Sequence, residues 1–256
     1  LLLFVVPGIQ IVNLSVQDLA SLVCAFICFS ALTSSTYVLN DALDIPEDRG
    51  HATKSKRPLA SGRLSLAVAM PSAAVLLSAA LLFSFWINPV FGAISLIYLA
   101  STLLYSFGLK RVVILDVFTL AGLFSIRVVA GAYLVGFPPS GWLLTFTGAF
   151  FLSLAIGKRY VEVRRLVPER AANGRAYLDL DAQPLLIAGN ATGAMSVLAL
   201  LIYGFSASST VFQSEAIVLV GAALLMAWVL RFWLLAGRGE ISEDPVEYAI
   251  KDRTSL

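Results

Sequence analysis

The sequence predicts an all-α polytopic membrane protein in which hydrophobic helices cross a bilayer and form a bundle. Hydrophobic residues make up 59% of its 256 residues and charged residues only 13%, with a mean hydropathy of +0.86. Soluble globular domains carry about 25% charged residues, so this chain has too few charges to coat a soluble surface. The apolar residues also fall in segments long enough to cross about 30 Å of hydrocarbon.

Eight apolar spans are visible along the chain, and together they predict a single transmembrane domain over residues 1–256. The first span is partial, because the sequence starts inside it. The eight spans are residues 1–12, 16–39, 64–85, 89–107, 115–135, 142–157, 185–205 and 216–236. The predicted active-site loops lie at about residues 40–63, 107–115, 157–184 and 237–256.

The basic residues alternate with the spans and therefore predict an orientation. We assign every Lys and Arg except Arg127 to the loops that follow the second, fourth, sixth and eighth spans. Cytoplasmic loops carry the excess of Lys and Arg, so this charged face is predicted to be cytoplasmic. The sequence thus predicts a multi-pass protein of the cell membrane, with its chemistry on the cytoplasmic side.

An acidic stretch closes the second span and predicts a metal site. Asp41, Asp44 and Asp48 are spaced three and then four residues apart, so on a continued helix they would share one face. Pro46 predicts that the helix ends near Asp44 and that Asp48 returns from a turn. Three neighbouring carboxylates repel each other unless a cation lies among them, and hard oxygen ligands suit Mg²⁺.

Basic residues follow this stretch at once. Lys54 and Arg57 would supply positive charge to anionic oxygens that the metal does not reach. The alternative interpretation is an ordinary polar loop whose basic residues only mark the cytoplasmic boundary.

The stretch also resembles a known motif. Asn40-Asp41-x-x-Asp44-x-x-x-Asp48, followed by Arg57-Pro58-Leu59-Ala60-Ser61-Gly62, is similar to the first aspartate-rich motif of the UbiA superfamily of intramembrane prenyltransferases. The resemblance implies a UbiA-type helical bundle with Mg²⁺ as cofactor. It also implies that a ninth span follows Leu256, because the family closes its bundle with another helix.

A second polar run follows the sixth span and departs from the usual family pattern. Most aromatic prenyltransferases of the UbiA type have a second aspartate-rich motif there, whereas this chain has Lys158, Arg159, Tyr160 and Glu162. Together with Gly108-Leu109-Lys110 and the Ser-Ile-Arg run around Arg127, it resembles the branch that contains decaprenyl-phosphate phosphoribosyltransferase. Members of that branch transfer phosphoribose from phosphoribosyl diphosphate to a polyprenyl phosphate, with Mg²⁺.

This resemblance implies a role for each polar side chain. Mg²⁺ would be held, and catalysis served, by Asp41, Asp44 and Asp48. The diphosphate or the ribose 5-phosphate would be bound by Lys54, Arg57, Lys158 and Arg159. The sugar hydroxyls would be oriented by Asn40, Tyr160 and Glu162, and the head of the acceptor lipid would be held by Lys110 and Arg127.

Two features inside the spans predict local packing or binding. Arg127 lies in the middle of the fifth span, where an arginine is costly and faces a cavity or an acidic partner. It is either a phosphate ligand or a snorkelling, ion-paired residue. Gly189 and Gly193 lie four residues apart in the seventh span, and this spacing predicts close helix packing.

Two other functions remain open at this stage. The same aspartate motif would serve transfer of a prenyl group from a prenyl diphosphate to an aromatic acceptor such as 4-hydroxybenzoate. A transporter of lipid-linked anions would also use an intramembrane arginine and a basic vestibule, but it gains little from the carboxylates. The predicted partners are an isoprenoid phosphate lipid, phosphoribosyl diphosphate and the membrane, without nucleic acid. The isoprenoid length and the oligomeric state stay open.

Overall fold

The computed structural model describes residues 15–50, 54–134, 136, 139–164, 177–206, 215–241 and 248. Within these ranges helices are the only regular secondary structure, as predicted. The α-helices are α1 (Val16–Leu43), α2 (Ile45–Arg49), α3 (Leu66–Ile87), α4 (Pro89–Phe107), α5 (Leu115–Leu134), α6 (Gly141–Arg164), α7 (Ala182–Phe205) and α8 (Glu215–Gly237). Short 3₁₀ turns at Lys54–Lys56, Leu109–Arg111 and Asp179–Asp181 join some of them.

Seven of the described helices, all but the short α2, are long and apolar enough to cross a membrane. They correspond one by one to the second to eighth predicted spans, which confirms the polytopic helical fold. The predicted first span and the ninth span expected beyond Leu256 lie outside the described residues.

Two predicted positions need correction, because one helix continues past its apolar segment and one base lies inside a span. Helix α6 runs to Arg164, so residues 158–164 are helical rather than part of a loop. No Gly or Pro follows Gly157 in this helix, and the buried Tyr160, Val161 and Val163 anchor its last turns in the core. Helix α1 ends at Leu43, as Pro46 predicts, whereas the base at position 231 lies within α8 rather than after it.

The chain divides into two compact units. The first comprises Leu1–Phe107 and Ile126–Pro138. In it α1 packs against α3 and α4, and α3 packs against α4. Phe29 of α1 lies at the centre of this packing, with its ring 4.6 Å from that of Tyr98 and 6.1 Å from that of Phe91.

The second unit comprises Gly108–Ser125 and Pro139–Leu256, and in it α6, α7 and α8 pack against one another. The predicted close packing at the two glycines of α7 is confirmed. A Cβ added at Gly189 would lie 1.9 Å from Trp233 of α8, and one at Gly193 would lie 2.6 Å from Val229. The indole of Trp233 donates a hydrogen bond to Ser153, whose hydroxyl donates to the carbonyl of Gly189. Glycine is therefore required where these helices approach most closely.

Candidate active site

The acidic stretch lies where α1 ends and α2 begins, in the first unit. Asp44 caps α1, and its backbone N–H donates to the carbonyl of Asn40 at 3.0 Å. Asp48 lies in α2, and its backbone N–H donates to the carbonyl of Asp44 at 2.8 Å. Pro46 is the second residue of α2, where a missing N–H costs nothing. The predicted helix end near Asp44 is confirmed, whereas Asp48 lies in the short helix α2 that follows it rather than after a turn.

One arginine bridges two of these carboxylates. Nη1 of Arg57 lies 2.9 Å from Oδ1 of Asp41 and 2.9 Å from Oδ2 of Asp48. The side-chain amide of Asn40 donates to Oδ2 of Asp44 at 2.9 Å. We call Asn40, Asp41, Asp44, Asp48 and Arg57 the aspartate cluster. In it a single guanidinium offsets the charge of two carboxylates that come from different helices.

The backbone around Arg57 is fixed by local hydrogen bonds. The N–H of Arg57 donates to the carbonyl of Lys54 at 2.9 Å, which closes the 3₁₀ turn. Nε of Arg49 donates to the carbonyl of Ala60 at 3.2 Å and ties the segment back to α2. Gly62 then has a φ of 76°, a conformation that favours glycine, where the chain turns towards α3. Arg57 therefore projects from a defined turn towards the end of α1.

The aspartate cluster suits a hard cation in its donor chemistry. Mg²⁺ is bound through one or two carboxylates, substrate phosphates and water. Asp41 and Asp48 converge on one positive group, Nη1 of Arg57. Within the described ranges no three His, Cys, Asp or Glu side chains are arranged to hold a metal ion by themselves. The residues therefore fit a metal that is shared with substrate oxygens.

A second polar group lies in the second unit, and the sequence did not predict it. Asp116, in the first turn of α5, is fully buried and accepts hydrogen bonds from Nε of Arg159 and, at 2.7 Å, from the hydroxyl of Tyr177. Arg159 is 1% exposed and also donates to Glu162 one turn along α6. The N–H of Ile114 donates to the oxygen of Tyr177 at 3.0 Å. We call these five residues the Asp116 network.

The Asp116 network joins the start of α5 to the end of α6. Burial raises the pKa of Tyr177, and its hydrogen bond to Asp116 raises it further, so the phenol remains a donor well above neutral pH. Ile114 has a φ of 70°, which is strained for a β-branched residue. The hydrogen bond from Ile114 to Tyr177 therefore holds a strained turn next to the 3₁₀ turn that carries Lys110.

Of the remaining predicted site residues, two contact aromatic rings and three are partly exposed lysines. Tyr160 is 4% exposed, and its ring lies 6.0 Å from that of Trp233 in the apolar core, which favours a packing role. Arg127 donates to the hydroxyl of Tyr98 at 2.9 Å and lies over its ring. The side chains of Lys54, Lys110 and Lys158 are partly exposed.

The structure brings some predicted residues together and leaves others apart. Asp41, Asp48 and Arg57 meet directly, as do Asn40 with Asp44 and Arg159 with Glu162. Sequence reasoning missed Asp116 and Tyr177. The available signal for Asp116 was an acid inside an apolar span, which is a candidate functional residue by default. Tyr177 had no comparable signal.

The seven long apolar helices define a class, namely a polytopic helical membrane protein. The model of the UbiA prenyltransferase family matches residues 1–249, and the chain belongs to this family. Enzymes of the family are transferases and generally depend on a divalent metal.

Relatives of this chain include proteins with and without a named activity. It is 36% identical to uncharacterized protein y4nM of Sinorhizobium fredii, over 90% of this chain and 45% of that protein. It is 37% identical to decaprenyl-phosphate phosphoribosyltransferase of Mycolicibacterium smegmatis, over 55% of this chain and 44% of the relative. It is 31% identical to nodulation protein NoeC of Azorhizobium caulinodans, over 93% of this chain and 78% of that protein. The chain thus spans about half the length of the first two.

Proposed function

We propose that this protein transfers 5-phosphoribose from phosphoribosyl diphosphate to a polyprenyl phosphate in the cell membrane, with release of diphosphate. Three observations support the proposal: family membership, the aspartate cluster, and the relative named decaprenyl-phosphate phosphoribosyltransferase. The observation that carries most weight is the convergence of Asp41 and Asp48 on one cation position, because a diphosphate donor arrives with a metal. We propose that the membrane face that carries the aspartate cluster is cytoplasmic.

In the proposed reaction the bond from the anomeric carbon to the diphosphate oxygen breaks, and a bond to an oxygen of the acceptor phosphate forms. Mg²⁺, when bound, would offset the negative charge that develops on the departing diphosphate. Asp41, Asp44 and Asp48 would hold it, while Asn40 fixes the orientation of Asp44 through its hydrogen bond. The acceptor is already an anion, so it needs positioning rather than a strong general base.

The basic side chains would bind the phosphate groups of the substrates. In the first unit, Lys54 and Arg57 are the proposed ligands of the diphosphate. In the second unit, Lys158 is the better proposed phosphate ligand than Arg159, because two carboxylates already engage the buried guanidinium of Arg159. Glu162 is the exposed end of that ion pair and stays the proposed partner of a sugar hydroxyl.

The proposed ligand of the acceptor phosphate is Lys110. Arg127 is less suited to it, because it lies seven residues before the end of α5 at Leu134. At about 1.5 Å per residue, Arg127 lies about 10 Å from this end of the helix, which is the end predicted to be non-cytoplasmic. Its contacts with Tyr98 favour the alternative in which the arginine is stabilised within the membrane by a neighbouring helix.

The donor can be tested directly. Purified protein in lipid nanodiscs would be incubated with Mg²⁺, labelled phosphoribosyl diphosphate and polyprenyl phosphate, and in parallel with labelled prenyl diphosphate and 4-hydroxybenzoate. A labelled lipid in the first reaction alone supports the proposal. Product in the second reaction alone refutes it in favour of aromatic prenyl transfer. In closed proteoliposomes, uptake of intact lipid-linked anion without either product would instead indicate a transporter.

Replacing Asp41 tests the role of the aspartate cluster. Asp41→Asn should abolish turnover, because it removes one carboxylate of the proposed metal site. It should change the free energy of unfolding by about 1 kcal/mol or less, since the ion pair with Arg57 is partly exposed. Activity would be measured beside thermal unfolding, with exposed Asp179→Asn as the matched control. Full activity in Asp41→Asn would show that the stretch is only a boundary loop.

A further inference from the structure

We propose that Arg57 is an internal counter-cation of the aspartate cluster, which a divalent metal must displace in order to bind. In the second half of the proposal, which rests on the proposed function, the displaced guanidinium then binds the diphosphate of the donor. Arg57 would thus exchange one anionic partner for another during each catalytic cycle.

The geometry makes the two cations mutually exclusive. A single nitrogen, Nη1 of Arg57, lies 2.9 Å from an oxygen of Asp41 and 2.9 Å from an oxygen of Asp48. A metal that bridged the same two oxygens at about 2.0–2.1 Å would occupy the space of that nitrogen. Metal binding through both carboxylates therefore requires the guanidinium to leave.

Burial explains why a counter-cation is needed in the absence of a metal. Asp48 is 3% exposed, and a buried carboxylate without a partner is costly. Arg57 itself is different, because 38% of its side chain is exposed. The guanidinium can therefore swing outwards while the backbone stays fixed by its turn hydrogen bonds.

The chemistry of the guanidinium favours diphosphate as its second partner. Arginine matches phosphate oxygens with two parallel donors, and this geometry does not depend on a particular backbone position. A metal with diphosphate brings net negative charge to the aspartate cluster and so offers Arg57 a replacement for the carboxylates it loses. The exchange gives Arg57 an anionic partner in both states.

This proposal predicts effects of opposite sign from one substitution. Without Arg57 the metal has no competitor, so Arg57→Gln should bind metal alone more tightly than the unchanged protein does. With diphosphate present, the variant lacks a ligand for the anion, so diphosphate should strengthen metal binding less. A purely structural role for Arg57 would weaken both.

The test is a titration of the purified protein with Mn²⁺, whose free ion is counted by electron paramagnetic resonance, with and without inorganic diphosphate. For Arg57→Gln we expect about tenfold tighter Mn²⁺ binding alone and an about tenfold smaller gain from diphosphate. Arg63→Gln is the matched control, because Arg63 lies in the same segment and donates to Lys56 and Ser61 rather than to a carboxylate. It should change neither quantity more than about twofold.

The outcomes separate the exchange from the proposed function. Unchanged or weaker binding of Mn²⁺ alone by folded Arg57→Gln would overturn the exchange. Tighter binding with an undiminished diphosphate gain would overturn its second half. If the contrast holds but no phosphoribose is transferred, the exchange stands and the proposed function fails. Should Arg57→Gln not fold, Arg57→Met keeps an unbranched side chain without the charge, and the same signs are expected from it.

Discussion

Arg159 and Lys158 are adjacent bases, and the same substitution should change stability at Arg159 and substrate binding at Lys158. Arg159→Gln should destabilise the protein strongly, because it removes the positive charge beside the fully buried Asp116. Lys158→Gln removes a charge from a partly exposed position and should leave stability nearly unchanged. The pair therefore separates a positioning residue from a proposed substrate ligand within a single turn of α6.

The magnitude follows from burial. Arg159 is 1% exposed and Asp116 is fully buried, and removing one partner of such a pair costs about 3–5 kcal/mol. The hydrogen bond from Tyr177 still reaches Asp116, which favours the lower end of that range. Lys158→Gln should cost no more than about 1 kcal/mol. Asp116→Asn combined with Arg159→Gln should cost less than the sum of the two, since the couple is removed together.

Thermal unfolding in detergent and steady-state kinetics are the two measurements. A loss of 3–5 kcal/mol corresponds to roughly 6 to 20 °C in Tm for a chain of this size. For Lys158→Gln, the KM for phosphoribosyl diphosphate should rise about 10- to 100-fold, the effect of one lost charge-assisted hydrogen bond. The KM for the lipid should change much less.

One result would refute this reasoning. If Arg159→Gln kept its Tm and raised only the KM for phosphoribosyl diphosphate, Arg159 would contact the donor, as the sequence suggested. The ion pair with Asp116 would then be one of two arrangements of that side chain. An equal rise in KM for both substrates in Lys158→Gln would point to general electrostatics.

Two further predictions concern stability. Tyr177→Phe should lower Tm at neutral pH, because Asp116 loses a donor and the strained turn loses its tie. The raised pKa of Tyr177 contributes stability that is fully present below about pH 10 and declines as the pH rises further. The difference in Tm between the unchanged protein and Tyr177→Phe should therefore narrow in alkali. A constant difference up to pH 11 would contradict this. Gly189→Ala should cost about 1–3 kcal/mol, because its Cβ would overlap Trp233, whereas Gly221→Ala on open helix surface should cost nothing; equal Tm values would refute the packing argument.

The spans were predictable because their signal is local. About twenty consecutive apolar residues suffice to identify a membrane helix, and all seven described long helices were found in this way. The ends were less accurate, because hydropathy marks where a helix leaves the apolar region, not where it stops. Helix α6 continues to Arg164 through polar residues whose inner face packs on the core, and nothing in the hydropathy shows this.

The candidate site was only partly predictable, for the same physical reason. The acids of the aspartate cluster are close in sequence, so spacing and Pro46 were enough to bring them together. Asp116 and Arg159 are 43 residues apart, and the contact between them depends on the packing of α5 on α6. A pairing of this kind leaves no periodic signal in a single sequence. The sequence therefore predicts Arg159 to be a ligand of the diphosphate or the ribose 5-phosphate and gives no sign of its pairing with Asp116.

Arginine offsets buried carboxylates in both units, and the exposure of each arginine distinguishes their proposed roles. Arg159 is enclosed with Asp116, so releasing it would leave a buried, unpaired carboxylate. Arg57 is 38% exposed while Asp48 beside it is buried, so solvent and ligands reach the arginine. The pair of Arg57 with Asp48 therefore suits an exchangeable site, and the pair of Arg159 with Asp116 suits a fixed support.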